Sequence, residues 1–365
     1  MRRRLAAWLP GMVVLVAPAF LFSGYHLFQL TMMAVYAVAI LGLDIVTGYT
    51  GQVSLGHGAF YAIGAYATAI LMTEFNWPYW ATLPVAGVAC AALGFAVGLP
   101  ALRLSGPYLA LVTFALAVAV PQILRARALE GWTGGVQGIV VTAPDAPFGL
   151  PLSQDQFLYL FTLAVALMLF ALARNMLRGR VWRAMLAIRD HPLAAEAAGI
   201  DIARIKTRAF AVSALFTGIA GALGAIVVQF VAPDSFAVQL SIALFVGLVV
   251  GGAGSLAGAV IGAAFVQFVP NIAEHLNKSA PGVLYGALLV TALYAMPAGA
   301  AGALRRGRAL PVWRRFVPTT GPSEQAGDTI HVEQKNAADI SRYGDAGAAG
   351  ARPRRRRTRG HRVRH

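Results

Sequence analysis

Three side chains that can both donate and accept hydrogen bonds, Gln52, Ser54 and His57, fall inside the otherwise apolar stretch GYTGQVSLGHGAFYAIGAY, Gly48 to Tyr66. Groups of this kind need partners in a bilayer, which makes them the candidate lining of a translocation path. Around them Gly48, Gly51, Gly56, Gly58 and Gly64 each weaken a helix by about 1 kcal/mol relative to Ala. Backbone freed by such breaks is tolerated at membrane depth only against protein or water. The stretch therefore reads either as a broken, cavity-lining segment or as a small-residue surface for close packing, with Gly58, Ala62, Gly64 and Ala65 in contact with a neighbour. A lone interior histidine such as His57 is more often a satisfied core group than a proton carrier. Asp44, just upstream, reads as a membrane-edge carboxylate.

A second glycine array lies in GLVVGGAGSLAGAVIGA, with Gly247 and Gly251, then Gly254, Gly258 and Gly262, each four apart. That spacing puts small residues on one helix face and favours close packing. Both arrays follow an apolar run in corresponding parts of the two halves, a hint of an internal repeat.

The sequence also excludes chemistry. It holds no GxxxxGK[ST] phosphate-binding loop, no HExxH and no GxSxG, so the chain cannot hydrolyse ATP on its own, and no catalytic or metal-ligating residues are assigned. Cys90 is the only cysteine, which rules out an intramolecular disulfide and a cysteine metal site.

The elements that must position these residues are membrane helices. With 58% hydrophobic and 12% charged residues, the expectation is an all-α, polytopic helical membrane protein. About 8–10 transmembrane helices are expected, with one broken or re-entrant-like segment near 48–66. Apolar runs place spans near 5–22, 27–46, 52–72, 79–100, 107–124, 156–173, 208–230, 238–252, 255–270 and 281–297. The first run follows Arg2-Arg3-Arg4 and is read as an uncleaved helix in preference to a signal peptide. Threaded from a cytoplasmic N-terminus, the spans leave 27 of the 30 Lys and Arg inside, and the bias persists without the tail. Residues 1–300 then form the transmembrane domain and 301–365 a basic cytoplasmic tail that reads as disordered. The tail's cations suit anionic membrane lipid better than nucleic acid, which is not expected as a partner.

Two polar interruptions remain. The loop 125–156 is outside and the loop 174–207 inside. The inner one, GRVWRAMLAIRDHPLAAEAAGIDIARIKTRAF, reads as a short helix or helix pair in which Asp190 can cap and Pro192 suits a first turn. It is either an ordinary basic connection or a surface helix that docks into a soluble partner.

Five blocks in order carry a resemblance: GYTGQVSLGHGAFYAIGAY, LRLSGPYLALVTFALA, TGGVQGI, AIRDHPLAAEAAGIDIARIKTRAFAVSALFTGIAGALGA and GGAGSLAGAVIGA. Over roughly residues 30–300 they resemble the branched-chain amino acid ABC importer permeases of the LivM type. The resemblance implies a multi-pass subunit of a bacterial inner membrane, with both termini cytoplasmic. Its implied partners are a second, LivH-type permease, two cytoplasmic ATPase subunits and a periplasmic substrate-binding protein. No cofactor is expected on this chain; ATP and Mg belong to the partner ATPases. Asp190 and Glu196-Ala197-Ala198-Gly199 look like the region that couples such permeases to their ATPases. Importers of urea, short-chain amides and other amino acids share these blocks and stay open as alternatives. An ion-coupled secondary transporter is the rival from another class, and it lacks the intramembrane ionisable residues such a mechanism uses.

Overall fold

In a computed structural model of the chain, residues 15–101, 107–146 and 151–276 are described, with scattered positions between 282 and 302. All belong to the first of two units, residues 1–308. The tail from 303 onward, the start of the first apolar run and most of the last one lie outside the described residues.

The helices in chain order are α1 (Pro18–Leu21), α2 (Tyr25–Thr50), α3 (His57–Thr73), α4 (Tyr79–Ala101), α5 (Pro107–Leu124) and α6 (Glu130–Thr133). They continue as α7 (Gln154–Met176), α8 (Arg180–Asp190), α9 (Pro192–Ala197), α10 (Ile202–Val228), α11 (Val238–Gly251) and α12 (Leu256–Leu276). Strands β1 (Ile139–Val140) and β2 (Phe230–Val231) pair antiparallel, Ile139 opposite Val231. The fold is all-α and polytopic.

Among the described residues, six stretches are long and apolar enough to cross a membrane, namely those of α2, α4, α7, α10, Pro233–Gly251 and α12. A seventh arises if Tyr108–Leu124 and Arg127–Thr133, bent by 61°, are one span. The segment expected at 52–72 differs for a physical reason. Helix α3 starts only at His57 and has 17 residues, about 26 Å at 1.5 Å per residue, short of a bilayer core of about 30 Å. It is accordingly not among the helices long enough to cross by themselves, and non-helical chain precedes it.

At the centre stands α10, packed against α2, α3 and α4. Its alanines and glycines explain why. Between lipid-immersed helices the hydrophobic effect adds little, and close backbone approach dominates. A Cβ on Gly221 would fall on the Tyr61 carbonyl, and one on Gly64 on the Gly218 carbonyl, so α3 and α10 touch backbone to backbone. On the other face, Cys90 of α4 fills the space beside Gly218 and its thiol donates to the Phe60 carbonyl at 3.3 Å. Asp201 caps α10 by accepting from the Arg204 N–H at 3.0 Å, and Ser153 with Gln156 forms a capping box on α7.

Two ends of the bundle can be distinguished by what they carry. One bears α8 and α9. The other bears the β1–β2 pair, the Arg125–Asp234 ion pair and the short 3-10 turn Pro233–Phe236.

Candidate functional site

The first helix break occupies residues 51–56. Helix α2 closes at Gly51, whose φ of +72° is left-handed and favours glycine. The Gln52 N–H completes the closure on the Val46 carbonyl at 3.2 Å. Six residues then run without helical bonding until α3 begins.

A chain of hydrogen bonds fixes where α3 begins. Ser213 of α10 donates to the Gly42 carbonyl at 2.5 Å, which uses its one proton. His57 Nε2, 2.6 Å from the same hydroxyl, must therefore carry hydrogen and donate. In the uncharged ring, which complete burial favours, Nδ1 then accepts from the Ser54 hydroxyl at 3.0 Å. Both nitrogens are engaged, the tautomer following from hydrogen-bond counting. Through Ser213, the first residue of α3 is thus tied to a carbonyl of α2 eight positions before that helix ends. The non-helical chain between the two helices is held inside the bundle.

Non-helical backbone at that depth needs partners, and neighbouring helices supply several. Thr113 of α5 accepts from the Leu55 N–H at 3.0 Å. Ser241 of α11 accepts from the Gly58 N–H at 3.0 Å. The Gln52 side chain donates to Thr50 Oγ1 at 2.8 Å. Gly56 leaves room for Thr113, whose carbonyl would lie 2.7 Å from an added Cβ. Gln52, Ser54 and His57 are all buried, while Gly51 and Val53 are exposed and Leu55 is half-buried.

The second break, residues 252–255, separates α11 from α12. The two helices are packed through their glycines: a Cβ on Gly251 would fall on the Gly258 carbonyl and one on Gly262 on the Gly247 carbonyl. Here the backbone is closed from a distance. The fully buried Asp44 accepts from the Gly254 N–H at 2.6 Å and from the Ser255 N–H at 3.1 Å. Its carboxylate so serves the start of α12, where negative charge meets free backbone donors. Gly48 makes room for it; a Cβ there would fall on Asp44 Oδ1 and Gly254 N.

The loop between α7 and α10 reaches both breaks. Arg189 Nη1 donates to the Gly48 carbonyl at 3.0 Å, satisfying one of the last carbonyls of α2, and Arg189 also lies against Gly51 and Gly254. Trp182 packs edge-on to Tyr49, with ring centres 4.3 Å apart. Met185 and Ile188 bury the inner face of α8.

The expected cap by Asp190 is corrected. His191 occupies the N-cap of α9 without a side-chain bond, and Asp190 instead accepts from Arg189 Nε at 2.9 Å, so the carboxylate orients the guanidinium. Glu196, Ala197, Ala198 and Gly199 end α9 on an exposed surface beside an open hollow of about 480 Å³ that Lys206 also borders. Arg189, seven residues before Glu196 in the same loop, is the part of it that reaches the end of α2 and both breaks. Asp44, Arg189, Ser213, Thr113 and Ser241 are the residues that sequence reasoning missed. All five act on backbone groups far along the chain, which leave no mark in the sequence.

This bundle of glycine-broken helices, crossed by an interrupted segment and touched by a structured loop, defines a membrane transport subunit. The profile of the branched-chain amino acid transport system / permease component family matches residues 25–293, and the chain belongs to that family. The high-affinity branched-chain amino acid transport permease LivM of Salmonella typhimurium is 33% identical over 313 residues, covering 79% of this chain and 72% of its own. LivM of Escherichia coli K12 is 32% identical over the same span. A probable LivH permease of Methanocaldococcus jannaschii is 24% identical over 259 residues, 68% of this chain and 81% of its own. No solved structure matches.

Proposed function

We propose that the chain is one permease half of an ATP-binding-cassette importer that carries branched-chain aliphatic amino acids across a bacterial inner membrane. The observation that carries this reading is the family match over residues 25–293, with LivM relatives named for that transport. Its membrane partner is a second, LivH-type permease; the match to a LivH chain fits two related halves. Two cytoplasmic ATPases supply the energy with ATP and Mg, and a periplasmic binding protein delivers substrate. The cation bias of the sequence puts the termini and the α8–α9 loop on the cytoplasmic side.

Mechanism follows from what touches what. The exposed surface of Glu196, Ala197, Ala198 and Gly199 takes the push of the ATPases. Arg189, held by Asp190, passes it to the end of α2 at Gly48 and to the α11–α12 break beside Asp44. Ser54 and His57 hold the 51–56 segment in the bundle at the wall of the path, and Gln52 anchors its start. Gly48, Gly51, Gly56, Gly58, Gly251, Gly254 and Gly258 let these pieces approach closely enough to act as joints. No bond is broken on this chain; it supplies a gated route. The tail from 301 contributes nothing to transport.

Uptake of labelled leucine, valine and urea, in cells lacking the gene and in complemented cells, tests the reading. Restoration of leucine and valine uptake that stops on ATP depletion is expected. Restored urea uptake alone would overturn the substrate, and uptake driven by an ion gradient without ATP would overturn the class.

A further inference from the structure

The break at 51–56 has two sides, and they differ. Exposure alternates along it: Gly51 and Val53 are exposed and Leu55 half-buried, while Gln52, Ser54 and Gly56 are buried. That is the period of extended chain, in which successive side chains point to opposite faces. The buried side is spoken for by Thr50, Thr113 and His57. The open side presents Val53, 39% exposed, with Leu55 next to it on the same face. On that exposed residue the Val53 N–H has no hydrogen-bond partner among the described residues.

Lipid does not fit this face. Irregular backbone with free polar groups does not occur against hydrocarbon and is found only buried in protein or lining a water-filled cavity. A dry protein interface fits it poorly, because a buried, unpaired N–H group carries a desolvation penalty. A hydrated path satisfies both requirements: water or a substrate carboxylate takes the Val53 N–H, and the apolar side chains meet an aliphatic side chain.

We propose that the open face of residues 51–55 is a substrate-contacting wall of the translocation path, with Val53 and Leu55 selecting aliphatic side chains and the Val53 N–H facing the amino acid carboxylate. The polar trio Gln52, Ser54 and His57 acts behind it as positioning residues. This inference rests on the proposed amino acid import for its ligand and on the fold alone for its geometry.

Cysteine scanning separates the two. In the assembled complex with Cys90→Ala, single substitutions from Gly51→Cys to Gly56→Cys are treated with a charged methanethiosulfonate reagent, with and without leucine transport. The expected pattern is reaction at 53 and 55, none at 52, 54 and 56, and slower reaction while leucine is transported. Val53→Ala should also lower the preference for leucine over alanine, measured as the ratio of uptake kcat/KM, by about tenfold, the scale of one or two methyl groups in an apolar site. Alternating reactivity that urea slows and leucine does not would defeat the proposed substrate and keep the wall. Uniform reactivity, or no reaction at 53 and 55 because the second permease covers them, would overturn the wall itself. An unchanged leucine-to-alanine ratio in Val53→Ala would overturn its role in selection.

Discussion

Both breaks interrupt a helix with glycines, yet they are closed in opposite ways. The 51–56 break carries its own polar side chains, and Ser54 and His57 bind it to α10 and, through Ser213, to the middle of α2. The 252–255 break contributes Ser255 as its only polar side chain, and its backbone donors Gly254 and Ser255 depend on Asp44, about 210 residues earlier in the chain. One break is held by many modest bonds among neighbours. At the other, a carboxylate from far along the chain takes two backbone donors, and the loop arginine sits beside it. A joint of the first kind is stiff, and a joint of the second kind responds when that carboxylate moves. Arg189 meets both breaks, at Gly51 in the first and at Gly254 in the second.

The difference can be broken from either side. Asp44→Leu should have the largest effect, since it takes the carboxylate acceptor away from the Gly254 and Ser255 N–H groups; at about 1–3 kcal/mol for each buried hydrogen bond so lost, thermal unfolding in detergent should show a loss of several kcal/mol. If Asp44→Leu unfolded at the wild-type temperature, the dependence of the second break on Asp44 would be refuted. His57→Ala should cost less, about 2–4 kcal/mol from lost bonds and a cavity, because Ser213 keeps its bond to the Gly42 carbonyl. Thr113→Val should cost about 1–2 kcal/mol by orphaning the Leu55 N–H alone, read in the same unfolding assay. Truncation after residue 316 should change neither stability nor uptake, and loss of transport in that chain would tie the tail to function.

Much of this architecture was legible in the residues. The glycines and polar groups of 48–66 read either as a break or as a packing surface, and the segment holds both, a break at 51–56 and close packing at Gly64; the small-residue spacing of 247–262 pointed to close contact. Less visible was which side of the first break faces out. The alternation Gln52, Val53, Ser54, Leu55 is present in the sequence, but only the positions of Thr113, Ser213 and Gly42 reveal that its polar side is the buried one. Asp44 illustrates the limit further. A carboxylate near a helix end looks like a membrane-edge charge until its acceptors' partners are known, and those are backbone N–H groups that any residue except proline could supply. Arg189 hides for the same reason, since a cation in a basic loop gives no sign that it reaches the carbonyl of Gly48.

The claim that the loop, the end of α2 and the second break act as one unit is tested most directly by transport efficiency. In proteoliposomes holding the assembled importer with its binding protein, leucine taken up per ATP hydrolysed should fall about tenfold in Arg189→Met, within the range of coupling free energies between distant sites. Basal ATP hydrolysis should persist, and Arg189→Lys, which keeps a cation within reach of the Gly48 carbonyl, should recover part of the loss. An unchanged ratio of leucine to ATP in Arg189→Met would contradict the account.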